Sequence, residues 1–145
     1  MRIREFIPND LKRVHEIEAM SFDESYDVNL FKQLYDIGSG FLVAEDEGYV
    51  VGYILFWIKY ETEGHIISLA VDKDYKRKKA GTLLLAKAIS VLSLFKINKI
   101  VLEVNENNNA AIEFYKQFNF ILDRKVPNYY LNGDGALVLY LPIKD

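Results

Sequence analysis

The sequence predicts an α/β protein built on a mixed sheet, and three stretches predict it. Ile66 to Phe95 is an apolar run rich in β-branched residues, then a charged turn, then a long run at helical spacing, which reads as strand, turn and helix. Lys99 to Val104 is a second apolar strand, so the helix between makes a right-handed crossover that pairs the two strands in parallel. Phe41 to Glu45 and Tyr49 to Lys59 flank Asp46-Glu47-Gly48, the pattern of an antiparallel hairpin.

In chain order, Arg2 to Phe6 alternates charged and apolar residues as a half-buried strand does. Pro8, Asn9 and Asp10 supply helix-start chemistry, and Leu11, Val14, Ile17 and Glu18 follow at helical spacing, with His15 on the polar side. After the polar and aromatic loop Ser21 to Asp27, Asp27 is expected to cap a second helix carrying Leu30, Phe31 and Leu34, which Gly38 and Gly40 end. The hairpin comes next, then a turn at Glu61 to Gly64 and a strand from His65 to Val71. Ala80 to Phe95 is apolar almost all round, as a helix buried across the sheet would be. Asn107 or Asn108 caps a fourth helix whose expected inner face is Ala111, Phe114, Tyr115 and Phe118. Phe120 to Val126 and Ala136 to Leu141 read as the last strands.

With 145 residues, half of them hydrophobic and 27% charged, one soluble domain spanning 1–145 is expected. The start Met-Arg-Ile-Arg-Glu-Phe lacks the apolar core of a signal peptide and no apolar run suits a bilayer, so a cytoplasmic protein without membrane partners is expected. A net charge of −3 argues against general nucleic-acid binding. With no cysteine there is no disulfide, thiolate metal site or acyl-cysteine intermediate, and two histidines exclude a histidine-rich metal site. No metal is expected.

Two features carry chemistry. The turn holds Lys73, Lys76, Arg77, Lys78 and Lys79 ahead of Gly81. It reads either as a phosphate site, where unpartnered helix N–H groups and fixed positive charge converge, or as a solvated basic turn. Glu103 lies inside the apolar strand Ile100-Val101-Leu102-Glu103-Val104, where a buried carboxylate needs a partner or a function. Alternation puts it on one face with Val101, as His65 shares a face with Ile67 and Leu69; if those strands are neighbours, His65 and Glu103 border one cleft. The other reading is a half-solvated Glu near a strand end. Tyr115 fits either a core position or a proton donor.

These residues resemble the GCN5-related N-acetyltransferase (GNAT) superfamily, and within it the ribosomal-protein and archaeal Ard1-like N-terminal acetyltransferases. GHIISLAVDKDYKRKKAGTLLL is similar to that family's strand, acetyl-CoA loop and helix; LEVNENNNAAIEFYKQFNF to its second signature; NYYLNGDGALVLYL to its closing hairpin. The family's loop pattern, Gln or Arg, two residues, Gly, one residue, Gly or Ala, falls on Lys76, Lys79 and Gly81. Lys79 thus replaces a glycine, Asn119 replaces the glycine of a Gly-Phe pair, and Gly135 stands at a usually acidic position.

The resemblance implies the GNAT fold, with about seven mixed strands, four helices and a splay between the two central parallel strands. It implies direct acetyl transfer from acetyl-CoA, with CoA as product, to an amine, most simply the α-amine of a peptide or protein such as a ribosomal protein. Glu103 would take the proton through water assisted by His65, and Tyr115 would protonate the leaving thiolate. Backbone around Leu69, Ala70 and Val71 would hold the pantetheine arm and oxyanion. Lys76, Arg77, Lys78, Lys79, Ala80, Gly81 and Thr82 would hold the pyrophosphate, and Asn108, Ala111 and Tyr115 would face the cofactor. Phe22, Glu24, Tyr129 and Tyr130 would line the peptide entrance. The alternatives are an acetyltransferase for a small amine, polyamine or amino acid, and an acetyl-CoA-binding module without catalysis.

Overall fold

The computed structural model describes residues 1–22 and 28–144. Among these residues seven strands form one mixed sheet in the hydrogen-bonded order β1-β2-β3-β4-β5-β7-β6, where β1 is Arg2–Glu5, β2 Gly40–Asp46, β3 Tyr49–Lys59, β4 Glu63–Val71, β5 Lys99–Asn105, β6 Ile121–Val126 and β7 Ala136–Pro142. Four α-helices accompany them among the described residues: α1 Leu11–Ser21, α2 Val28–Asp36, α3 Ala80–Leu92 and α4 Asn109–Gln117. None of these is long and apolar enough to cross a membrane. The chain forms two compact units, one of Met1–Trp57 with Ile66–Leu94, the other of Ile58–His65 with Phe95–Asp145.

In the first unit β2 pairs antiparallel with both β1 and β3. The β2–β3 turn has Glu47 at φ 51° and Gly48 at φ 81°, two left-handed residues in the primed turn that matches strand twist. Alternate residues of these strands face opposite ways. Phe41, Val43, Tyr53 and Leu55 join Phe6 and, from α1 and α2, Val14, Ile17, Phe31 and Leu34 in one apolar core. Phe6 stacks on Phe41 at 4.0 Å and Phe31 meets Tyr53 edge-on at 5.7 Å. Burying each such side chain contributes about 1.5–3 kcal/mol. Gly38, at φ 83°, ends α2 as expected: its amide donates to Tyr35 and that of Ser39 to Leu34, releasing the chain into β2.

The α3 helix packs against β2 and β1. Gly52 permits close packing, since a Cβ there would lie 3.2 Å from the Leu84 side chain and 3.1 Å from the Ala70 carbonyl. The helix is one-sided rather than buried all round: Leu84, Leu85, Ala88 and Leu92 are buried, whereas Leu83 is 41% exposed. Apolar residues outnumber the places the sheet can cover, so hydrophobicity alone overstated its burial. It also stops at Leu92, before the expected Phe95.

In the second unit β7 sits between β5 and β6 and pairs antiparallel with both. Along β5, Ile100, Leu102 and Val104 are buried while Val101, Glu103 and Asn105 are half-buried on the other face. The inner face of α4 is set by Ile112 and Tyr115; the expected Ala111, Phe114 and Phe118 are only half-buried. Phe114 and Phe118 instead pack on each other at 5.3 Å. The parallel β4–β5 register runs from Glu63↔Lys99 to His65↔Val101, and both strands continue past it, β4 to Val71 and β5 to Asn105.

Candidate active site

In the second unit the parallel register sets His65 beside Val101 and brings its ring to Glu103, two residues on. Nε2 of His65 lies 2.8 Å from Oε2 of Glu103, with both side chains mostly covered, at 13% and 25% exposure. Burial works to raise the Glu103 carboxyl, but the His65 hydrogen bond and charge, helped by Lys59 and Arg124, outweigh it and hold the group below the usual glutamate range. A carboxylate in a strand interior is therefore kept ionised, partly open to solvent and hydrogen-bonded to an imidazole.

The segment between β6 and β7 brings two phenols to this carboxylate and to Tyr115. Glu103 pushes the Tyr129 hydroxyl upward, second to burial, and Tyr130 adds to the burial that pushes the Tyr115 hydroxyl far up. The rings of Tyr129 and Tyr130 meet edge-on at 5.0 Å. Tyr115 is buried against Phe114 and Phe120, and its hydroxyl stays protonated through the neutral range. So Glu103, Tyr129, Tyr130 and Tyr115 lie within electrostatic reach of one another in sequence.

Residues that the sequence reading passed over hold this segment in place. The Glu106 carboxylate accepts from the Gly135 amide and pairs with Lys125 at 2.7 Å, while the Glu106 amide donates to the Gly135 carbonyl at 2.9 Å. Asn105 donates to Asp134 at 3.0 Å, and the Tyr130 amide donates to the Asp134 carbonyl at 3.0 Å. A Cβ at Gly135 would lie against the Glu106 carboxylate, so this usually acidic position is bordered here by an acid from just past β5. A side chain at 106 contacting backbone at 135 leaves no local sequence signal.

In the first unit the basic turn is a 3₁₀ helix, Lys73–Lys78, separated from α3 by Lys79 alone. Asp72 caps it: Oδ1 accepts from the Asp74 amide at 2.9 Å, and the Asp72 amide donates to the Val51 carbonyl at 2.8 Å. Arg13, from α1, donates to the other Asp72 oxygen and to the Val50 carbonyl at 2.9 Å, with its guanidinium 4.4 Å from the Tyr49 ring centre. The Asp74 amide, and then Arg13 against the opposing effect of burial, hold the Asp72 carboxyl below its ordinary value. Arg13 and Asp72 carry no motif and are 59 positions apart, so only the fold joins them.

The other expected site residues fall as follows. Leu69, Ala70 and Val71 end β4, with Ala70 buried and its neighbours half-buried. Lys76, Lys79 and Thr82 are exposed, Ala80 is buried and Gly81 half-buried. In the second unit Asn108 caps α4, its Oδ1 accepting from the Ala111 amide at 3.1 Å. Phe22 follows α1 at 38% exposure and Tyr129 is 49% exposed. Glu24 lies outside the described residues, as do the Tyr26 and Asp27 positions and the side chains of Arg77 and Lys78.

Both departures from the family's glycines keep a left-handed backbone: Lys79 has φ 64° and Asn119 φ 70°. Asn119 closes α4 with its amide donating to Lys116 and that of Phe120 to Tyr115. Asn tolerates this conformation; a lysine does so at a cost. Lys79→Gly is therefore expected to raise stability by about 1 kcal/mol, a gain of a few degrees in the thermal midpoint. A midpoint that stays the same or falls would show that the Lys79 side chain offsets its own backbone strain.

The sequence pattern of the Acetyltransferase (GNAT) family matches residues 11–120 of the chain. An uncharacterized N-acetyltransferase of Methanocaldococcus jannaschii is 37% identical over 141 residues, covering 96% of this chain and 90% of that protein. An N-alpha-acetyltransferase of Sulfurisphaera tokodaii is 29% identical over 155 residues, covering 98% and 93%. Among solved structures, Ard1 from Thermoplasma volcanium superimposes with a TM-score of 0.94 at 32% identity, covering 99% of this chain and 98% of that one.

Proposed function

Since the chain belongs to the acetyltransferase (GNAT) family and is an acyltransferase, we propose that it moves an acetyl group from acetyl-CoA directly to the N-terminal α-amine of a protein or peptide, a ribosomal protein among the candidates. The observation that carries this reading is the ionised Glu103 held by His65 at 2.8 Å. The family match runs through residues of both units, which supports treating 1–145 as one catalytic domain.

The amine must lose a proton before it attacks. At neutral pH that costs about 1 kcal/mol for an α-amine of pKa about 7.7–8.0, and about 4–5 kcal/mol for a lysine of pKa about 10.4. A carboxylate held below the glutamate range is a weak base, so the α-amine suits it far better. Glu103 would take the proton through water, His65 would orient its carboxylate, and Tyr115 would give its hydroxyl proton to the departing sulfur. Tyr129 and Tyr130, with Phe22 and Glu24, would border the incoming peptide.

The first unit offers what the donor's phosphates need. The exposed Lys76 and Lys79 flank the start of α3, whose first N–H groups lack partners within the helix, and small Ala80, Gly81 and Thr82 leave the backbone approachable. These residues, with Arg77 and Lys78, would hold the pyrophosphate, the backbone of Leu69, Ala70 and Val71 the pantetheine arm, and in the second unit Asn108, Ala111 and Tyr115 would face the cofactor. When bound, acetyl-CoA supplies the activated thioester.

Incubation with acetyl-CoA and peptides differing in their first residue, alongside free amines, tests the reading by mass. Acetyl on the peptide α-nitrogen is expected. Modification confined to side-chain or small amines would replace the substrate class, and cofactor binding with no transfer to any amine would leave a binding module.

A further inference from the structure

Resting on the peptide-acetylation reading, we propose that the enzyme favours N-termini with an acidic side chain at the second or third residue, and that Arg124 is the residue that recognises it. The sheet register carries the argument. Glu103 stands opposite Val138 on β7, and Val138 stands opposite Arg124 on β6, so the three share one row across three strands and one face of the sheet. Neighbouring strands lie about 4.8 Å apart, which sets the Arg124 backbone about 10 Å from that of Glu103, the length of about three extended residues. A peptide whose amine meets Glu103 and whose chain crosses these strands presents its second or third side chain to Arg124.

Arg124 occupies that row because of a bulge. Leu122 pairs with Leu139 and Arg124 with Val138, leaving Asp123 as the extra residue. Without it Asp123 would stand opposite Val138 and place a carboxylate in the row of Glu103. With it, two residues of β6 oppose Val138, so Arg124 joins Asp123 at the end of the row and the carboxylate there gains a cation. β6 is the last strand of the sheet, and its residues are exposed from Ile121 to Lys125, so the row is open at the Arg124 end.

The surrounding charge agrees. Lys59 and Arg124 both act on Glu103, so cationic charge from two sides reaches this row. Asp123 pairs with Arg124 at 2.7 Å, but the two side chains are 45% and 64% exposed; such a pair is weak and yields to a ligand carboxylate.

The test measures kcat/KM with acetyl-CoA for peptides identical except for Glu, Gln or Lys at positions two and three, using the unaltered enzyme, Arg124→Gln and Arg124→Glu. Ratios between peptides cancel any effect of the substitutions on Glu103 itself. At low salt the unaltered enzyme is expected to prefer the Glu to the Lys peptide by about threefold to fivefold, a preference that shrinks in Arg124→Gln, inverts in Arg124→Glu and fades in about 1 M salt. Arg124→Gln keeps a polar side chain of similar length and decides the matter should the charge reversal not fold. No preference in the unaltered enzyme, or the same ratio in all enzymes while the Gln peptide is acetylated, overturns the role of Arg124 and leaves peptide acetylation standing. Failure of every enzyme to acetylate any peptide overturns the parent reading and this one with it.

Discussion

Glu103→Gln is expected to lower kcat/KM for a peptide α-amine by about 10²- to 10⁴-fold, the usual contribution of a positioned proton acceptor. Glutamine keeps the size of the side chain and a hydrogen bond to His65 but removes the charge. The shape of the pH profile provides the control. Since the fold holds the Glu103 carboxyl below its ordinary value, it is ionised across the neutral range, and its loss of activity on acidification falls below the usual glutamate range. The rise of rate toward pH 8 belongs to the substrate amine, with its pKa of about 7.7–8.0. Glu103→Gln should therefore drop the whole curve without moving its neutral limb. The same depressed carboxyl stabilises the fold above its unfolded value, and this contribution is lost as pH falls through the folded value, so the variant should also lose less stability on acidification. Full activity of Glu103→Gln at every pH would remove the residue from the reaction.

The second large effect is expected from Tyr115→Phe, about a 10- to 100-fold loss in kcat with the KM for peptide little changed. Burial, with a smaller contribution from Tyr130, pushes the Tyr115 hydroxyl far up, so it carries its proton wherever the enzyme works. A phenol in that state cannot act as a base but can donate to a thiolate as it leaves. Phenylalanine fills the same space against Phe114 and Phe120, so the thermal midpoint should hold and the loss should be chemical. An unchanged kcat would make Tyr115 a core residue, the other meaning its place on α4 allows.

Most elements were legible because period and punctuation agree. The strand His65 to Val71, the crossover through α3, the Asn108 cap and the Gly38 stop each rest on a local rule that the structure keeps. Burial within helices was less legible. α3 is more apolar than its neighbours can cover, and on α4 the inner face turned toward Ile112, because the side a helix buries depends on what it packs against. For the candidate site, Glu103 was visible as a carboxylate in an apolar strand, and His65 through shared alternation. Lys59, Glu106, Arg13 and Arg124 were invisible, since nothing adjacent in the chain marks them.

By itself the sequence determined the α/β alternation, the parallel pairing that places His65 near Glu103, and the basic turn ahead of α3, since hydrophobic period, turn residues and the crossover rule are local or nearly so. Tertiary structure alone decided that β7 runs between β5 and β6, that a bulge at Asp123 turns Arg124 into the row of Glu103, and that Glu106 takes the space beside Gly135. Register and bulges follow from which strands meet, and a carboxylate's ionisation follows from the charges those meetings bring to it.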